Sequence, residues 1–212
     1  MRRGIRLVRN DLTHHVNIYI FIFVLFFIGI IFGAIIVNSM NFIQRQDLFF
    51  YLKQFFQLIL DTEGIDSTTL WKDTFFYHLK YMLLLFILGI SVIGMPVITV
   101  LLFIKGLVVG FSVGFLVNQM GWYGFIVSSV AIAPQNLLII PIYLVAGSMA
   151  LIFSMTLFRQ LFVRRVHQPL LPIFGRYTIT FLGLFGVLII ASLIEVFISN
   201  YALEAVIRWI YK

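Results

Sequence analysis

No cysteine occurs in this sequence, and only 8 of its 212 residues are acidic. The missing thiols exclude disulfides, thiolate nucleophiles and cysteine-bound metal or iron–sulfur centres, and leave the redox compartment open. Charge of either sign is scarce. Asp, Glu, Lys and Arg make up 11% of the chain, against about 25% in an ordinary soluble domain. What is there instead is apolar, 62% of all residues. A soluble protein of 24.5 kDa cannot hide that much apolar surface, whereas a bilayer removes the problem. No long polar linker, repeat or low-complexity tract divides the chain, so residues 1–212 read as a single integral membrane domain.

Chemistry is as thin as charge. The four histidines, His14, His15, His78 and His167, show no metal-ligand spacing and no neighbouring nucleophile. The glycines between Gly106 and Gly114 lack the Lys-Ser/Thr ending of a phosphate-binding loop. The sequence therefore gives no catalytic residue, no metal ligand and no cofactor site, and an enzyme is not expected. The net charge of +7 does not point to nucleic acid, because its arginines cluster at the ends of apolar runs, as membrane topology requires.

Charge-free windows organise the chain: 16–37, 81–104, 106–158 and 177–194. The first follows Arg2, Arg3, Arg6 and Arg9. Its 22 residues exceed the roughly 7–15 of a cleaved signal segment, and no small-residue cleavage site follows. It reads as an uncleaved anchor, about 33 Å long as a helix. The third window would be roughly 80 Å long as one helix, so it must fold back. The break is expected at Asn118–Gly124, where amides, two glycines, Trp122 and Tyr123 gather. An all-α polytopic fold follows, with five spans at about 16–37, 81–103, 104–119, 125–158 and 177–198. The turn between the second and third spans falls either at Gly94-Met95-Pro96 or, as the adopted boundaries have it, at Lys105. Pro134 and Pro141 predict a short or kinked segment before Pro134 and a full span after it.

Counting basic residues in short loops orients the chain. The first ten residues hold four arginines, and 159–176 holds Arg159, Arg164, Arg165 and Arg176 with no acid. Loop 38–80 mixes Arg45, Lys53, Lys72 and Lys80 with five acids. The N-terminus and the 159–176 loop are thus expected in the cytoplasm, and 38–80 and the C-terminus outside. Within the outer loop, Leu48, Phe49, Leu52, Phe55, Phe56 and Ile59 recur at helical spacing over 42–60, with Asp47, Lys53, Gln54 and Gln57 opposite. Such a helix lies in the membrane interface. A second helix is expected from Ser67 through Trp71.

Four features are site candidates, each with a plainer alternative. Gly106, Gly110 and Gly114 form a smooth helix face for close packing, read first as packing within the chain and second as a homodimer or partner groove. Lys105 is a functional residue if it lies inside the membrane, but the reading adopted is a side chain reaching out at the cytoplasmic edge. Glu195, the only acid in the embedded runs, reads likewise as a hydrated residue at the outer end of the last span rather than a proton relay. Gln135 and Asn136, after Pro134, either line a transporter-like break or satisfy the backbone of a structural kink. Phe49, Phe56, Trp122 and Tyr123 are the candidate outer interaction surface.

Three stretches carry a family resemblance: Phe32-Gly33-Ala34-Ile35-Ile36-Val37-Asn38-Ser39, the run from Ile104 through Gly106, Gly110 and Gly114 to Asn118-Gln119-Met120-Gly121-Trp122, and Pro134-Gln135-Asn136-Leu137-Leu138. Together with length and five-span layout, they closely resemble stage II sporulation protein M, a family of endospore-forming bacteria. The resemblance implies a membrane protein of the sporulation septum acting with sporulation proteins D and P, single-pass proteins with extracellular wall-degrading domains, in forespore engulfment. It supplies no catalytic residue. The resulting expectation is a non-enzymatic anchor that recruits wall hydrolases, embedded in membrane lipid. The alternative is a transporter or channel using the broken fourth helix with Lys105 and Glu195.

Overall fold

In lipid, each backbone N–H and C=O must find its partner within the protein, which drives apolar segments into helices. The computed structural model describes residues 2–61, 67–162, 170–194 and 206, and those residues form seven helices and no strand. They are α1 (Arg2–Ser39), α2 (Phe42–Asp61), α3 (Ser67–Ile90), α4 (Gly94–Met120), α5 (Trp122–Ala131), α6 (Ala133–Phe162) and α7 (Leu170–Ile194). Five stretches are long and apolar enough to cross a membrane: Val16–Ser39, Trp71–Ile90, Gly94–Met120, Asn136–Phe162 and Leu171–Leu193. The chain is an all-α, multi-pass membrane protein.

The second and third spans differ from the sequence reading of 81–103 and 104–119. The turn lies at 91–93, and Lys105 sits well inside α4. The backbone explains the choice. Ser91 N–H donates to the Leu88 carbonyl at 3.0 Å and Gly94 N–H to the Ser91 carbonyl at 3.1 Å. A Cβ at Gly94 would strike the Leu88 carbonyl, so only glycine closes this corner. Pro96 falls in the first turn of α4, where its missing N–H has no intrahelical acceptor to lose. Buried Ser154 then donates to the Ser91 carbonyl at 2.6 Å, tying the corner to α6. Lysine, a good helix former, does not interrupt α4. Nor do Lys72, Asp73 and Lys80 interrupt α3, which begins well before the charge-free window.

The long fourth stretch splits at Ile132. Gly121 (φ 57°) takes the left-handed backbone that lets α4 stop and α5 turn back along it, its N–H donating to the Val117 carbonyl at 2.9 Å. Across the α5–α6 kink, Ile132 N–H reaches the Ser128 carbonyl (2.9 Å) and Asn136 N–H the Ile132 carbonyl (3.2 Å), bracketing Pro134. The Asn136 side chain adds a second donor to the same Ile132 carbonyl at 2.9 Å. Pro141 lies inside α6 without ending it.

Packing pairs fix how the helices run. Phe26 lies against Gly106, Ile30 against Gly110 and Ala34 against Gly114, so α1 and α4 are parallel. They share the most extensive interface in the bundle. A Cβ at Gly106 or Gly110 would collide with the Phe26 or Ile30 carbonyl, and one at Gly29 or Gly33 with the Phe103 or Leu107 carbonyl. The two backbones are therefore nearly in contact, a packing available only to glycine. Around this pair, Met82, Leu85, Leu102, Tyr143, Ala146 and Phe181 belong to the buried core joining α3, α4, α6 and α7. At the other end of α1, Arg45 donates to the carbonyls of Asn38 (2.7 Å) and Met40 (3.1 Å), capping α1 and starting α2.

Candidate functional site: a polar cavity around Lys105

On α3, Asp73, Thr74, Tyr77, His78 and Tyr81 recur one helical turn apart and so share a face. Lys105 and Ser112 from α4 and Asn136, Ile139 and Tyr143 from α6 meet that face. Between the helices lies a cavity of about 430 Å³, lined by Asp73, Thr74, His78, Lys105, Ser112 and Asn136 among others. Lys105 is roughly three turns from the start of α4 and four from its end, near the middle of the span. The cavity extends from it towards the end of the bundle where α3 begins.

Lys105 has an aromatic cage. Its Nζ lies 4.9 Å from the Tyr77 ring centroid, 5.1 Å from Tyr143 and 5.4 Å from Tyr81. Among the described residues its one hydrogen bond goes to the Tyr77 hydroxyl at 3.4 Å, long for a charge-assisted bond. The tyrosines are themselves held. Tyr143 is fully buried and shares a 2.6 Å hydrogen bond with His78 Nδ1, and Tyr81 donates to the Leu101 carbonyl at 3.0 Å. Three ring contacts at about 0.5–2 kcal/mol each are of the same order as the several kcal/mol needed to desolvate an ammonium. The cage lowers that penalty without supplying a counter-charge. Below Lys105, the polar lining stops at the close-packed Leu102, Ile98, Ala146 and Ala150.

The sequence placed Lys105 at the cytoplasmic edge; the structure puts it mid-helix in this cavity, because the turn it was thought to mark lies at 91–93. Asn136 lines the same cavity, but its amide donates to the Ile132 carbonyl, as a structural kink requires. The side chains of Gln135 and Phe56 and the whole of Glu195 lie outside the described residues. Gly106, Gly110 and Gly114 are covered by α1, so no partner helix has access to that face. Trp122 is exposed and stacks on Phe125 at 5.3 Å, Tyr123 is exposed, and Phe49 is half-buried under Lys53 Nζ at 4.7 Å. These residues form no joint site with Lys105. Sequence reasoning passed over Tyr77, Tyr81 and Tyr143, and weighed His78 only as a metal ligand or catalytic partner. The signal for three of them was the 77, 78, 81 spacing opposite a lysine in the next span; Tyr143 had none.

A second cavity, also about 430 Å³, lies on the α1 side of the kink and is apolar, with Phe27, Val113, Phe125 and Leu137 on its walls. Val109, Ile132 and Asn136 line both cavities. No group of three or more His, Asp or Glu side chains among the described residues is placed to hold a metal ion.

The fold and this cavity define a polytopic helical membrane protein with an isolated cation inside its bundle. The model for the family described as stage II sporulation protein M matches residues 22–200, and the chain belongs to that family. No curated protein and no solved structure matches it. It is a sporulation-related membrane protein.

Proposed function

We propose that this protein is a non-enzymatic membrane anchor that holds peptidoglycan-degrading proteins, sporulation proteins D and P, at the septum during engulfment, with its N-terminus in the cytoplasm. Family membership supports the setting. The observation that carries the anchor reading is the outward face of α7. Ile179, Leu182, Gly183, Gly186, Val187 and Ile190 are all exposed, and a Cβ at Gly183 or Gly186 would meet nothing within 4 Å. These positions recur at helical spacing on one stripe and leave a shallow track for a partner's single span. On the α2 side, Phe42, Ile43, Phe50 and Tyr51 are exposed, while Leu52 packs against the Leu116 and Val127 cluster. This apolar surface is wider than the stripe read from the sequence and suits a helix resting in the membrane interface. The transporter alternative has less support, because the polar lining ends at Lys105 above a packed core.

The test is to image fluorescently tagged D and P proteins in sporulating cells. Deleting this chain is expected to leave both hydrolases active but spread around the membrane. Gly183→Leu with Gly186→Leu is expected to disperse them partly while the variant accumulates normally. Hydrolases that stay at the septum in the deletion strain would refute the anchor reading.

A further inference from the structure

We propose that the Lys105 cavity binds a singly charged phosphate group, either the phosphodiester of a lipid headgroup or free phosphate. An ammonium carries three N–H donors, and among the described residues one hydroxyl at 3.4 Å is the only acceptor it meets. No carboxylate ion-pairs with it among the described residues. The remaining donors face a space large enough for a ligand of several heavy atoms, with the Thr74 and Ser112 hydroxyls on the same walls. An anion is the chemistry that completes this arrangement. Asp73 lines the cavity without pairing to Lys105. Its negative charge opposes a second charge on the ligand, so a monoanion fits better than a dianion.

The apolar cavity beyond Val109, Ile132 and Asn136 argues for phosphate carried by an amphiphile. A polar space with a half-buried cation and an apolar one share a wall at the kink beside Pro134. A headgroup in the first and an acyl chain along the second would use both. The proposal is independent of the anchor reading, since neither α2 nor α7 takes part.

The experiment uses the full chain, delipidated in dodecyl maltoside and free of phosphate, with thermal unfolding followed by tyrosine and tryptophan fluorescence at constant ionic strength. One arm titrates inorganic phosphate and the other phosphatidylglycerol. A saturable rise in Tm with either probe is expected, and the effective arm identifies the source. Lys105→Gln should abolish the rise and Lys105→Arg should keep it. Asp73→Asn should lower the half-saturating concentration several-fold, and Tyr77→Phe should raise it. The opposite signs at Asp73 and Tyr77 keep the test decisive where Lys105→Gln does not fold. No saturable shift in either arm, a shift that survives Lys105→Gln, or half-saturation unchanged in both other variants overturns the proposal.

Discussion

Two glycine-bearing faces of this bundle look alike as sequence and behave oppositely in space. On α4, Gly106, Gly110 and Gly114 lie against α1 so closely that backbone meets backbone. On α7, Gly183 and Gly186 face outward with nothing near them. Lipid tails are as apolar as leucine, so no hydrophobic drive distinguishes the two faces. What distinguishes them is whether a neighbouring helix has a complementary small-residue row. α1 does, with Gly29, Gly33 and Ala34. Among the described residues α7 has no such neighbour on its outward side, which leaves that track open to a partner helix.

The comparison breaks first at Gly110. A leucine there must force α1 and α4 apart along their whole interface, and Gly110→Leu is expected to destabilise by about 3 kcal/mol or more. Unfolding in mixed micelles titrated with dodecyl sulfate would measure it, and an unchanged midpoint would mean that α1 does not occupy this face. Next comes the 91–93 corner. Ser154→Ala removes the 2.6 Å donor to the Ser91 carbonyl, which keeps its bond from Gly94 N–H, and should cost about 0.5–1.5 kcal/mol by the same titration. Gly114→Ala is milder than either glycine above it. Its added Cβ meets the Ala34 Cα at 3.1 Å rather than a carbonyl, and a loss near 1 kcal/mol is expected. Gly183→Ala should change sign, gaining up to about 1 kcal/mol from helix propensity because no clash opposes it. Equal losses at Gly110 and Gly183 would erase the distinction between the faces.

Much of the architecture was legible because the bilayer imposes it. Window lengths set the number of spans, and Pro134 with the Asn118–Gly124 cluster located the breaks around α5. The second-to-third turn was misread because charge was taken as the marker of a boundary. Lys105, Lys72, Asp73 and Lys80 all ride on helices. Local backbone chemistry decided instead, through the glycine at 94 and the proline two residues later. The cavity was harder still. Asp73, Lys105 and Tyr143 belong to three different helices, and nothing in their local sequence says that they converge.

By itself, then, the sequence determined the solvent of this protein, its helical class, its five apolar crossings and its kinship, since each depends on composition, run length or local motif. Only the tertiary structure decided which glycines are packed and which are open, and that Lys105 ends inside a tyrosine cage. Those outcomes depend on rotation and register between helices distant in the chain. A difference of one residue in register would turn Lys105 by about 100° and remove it from the cage.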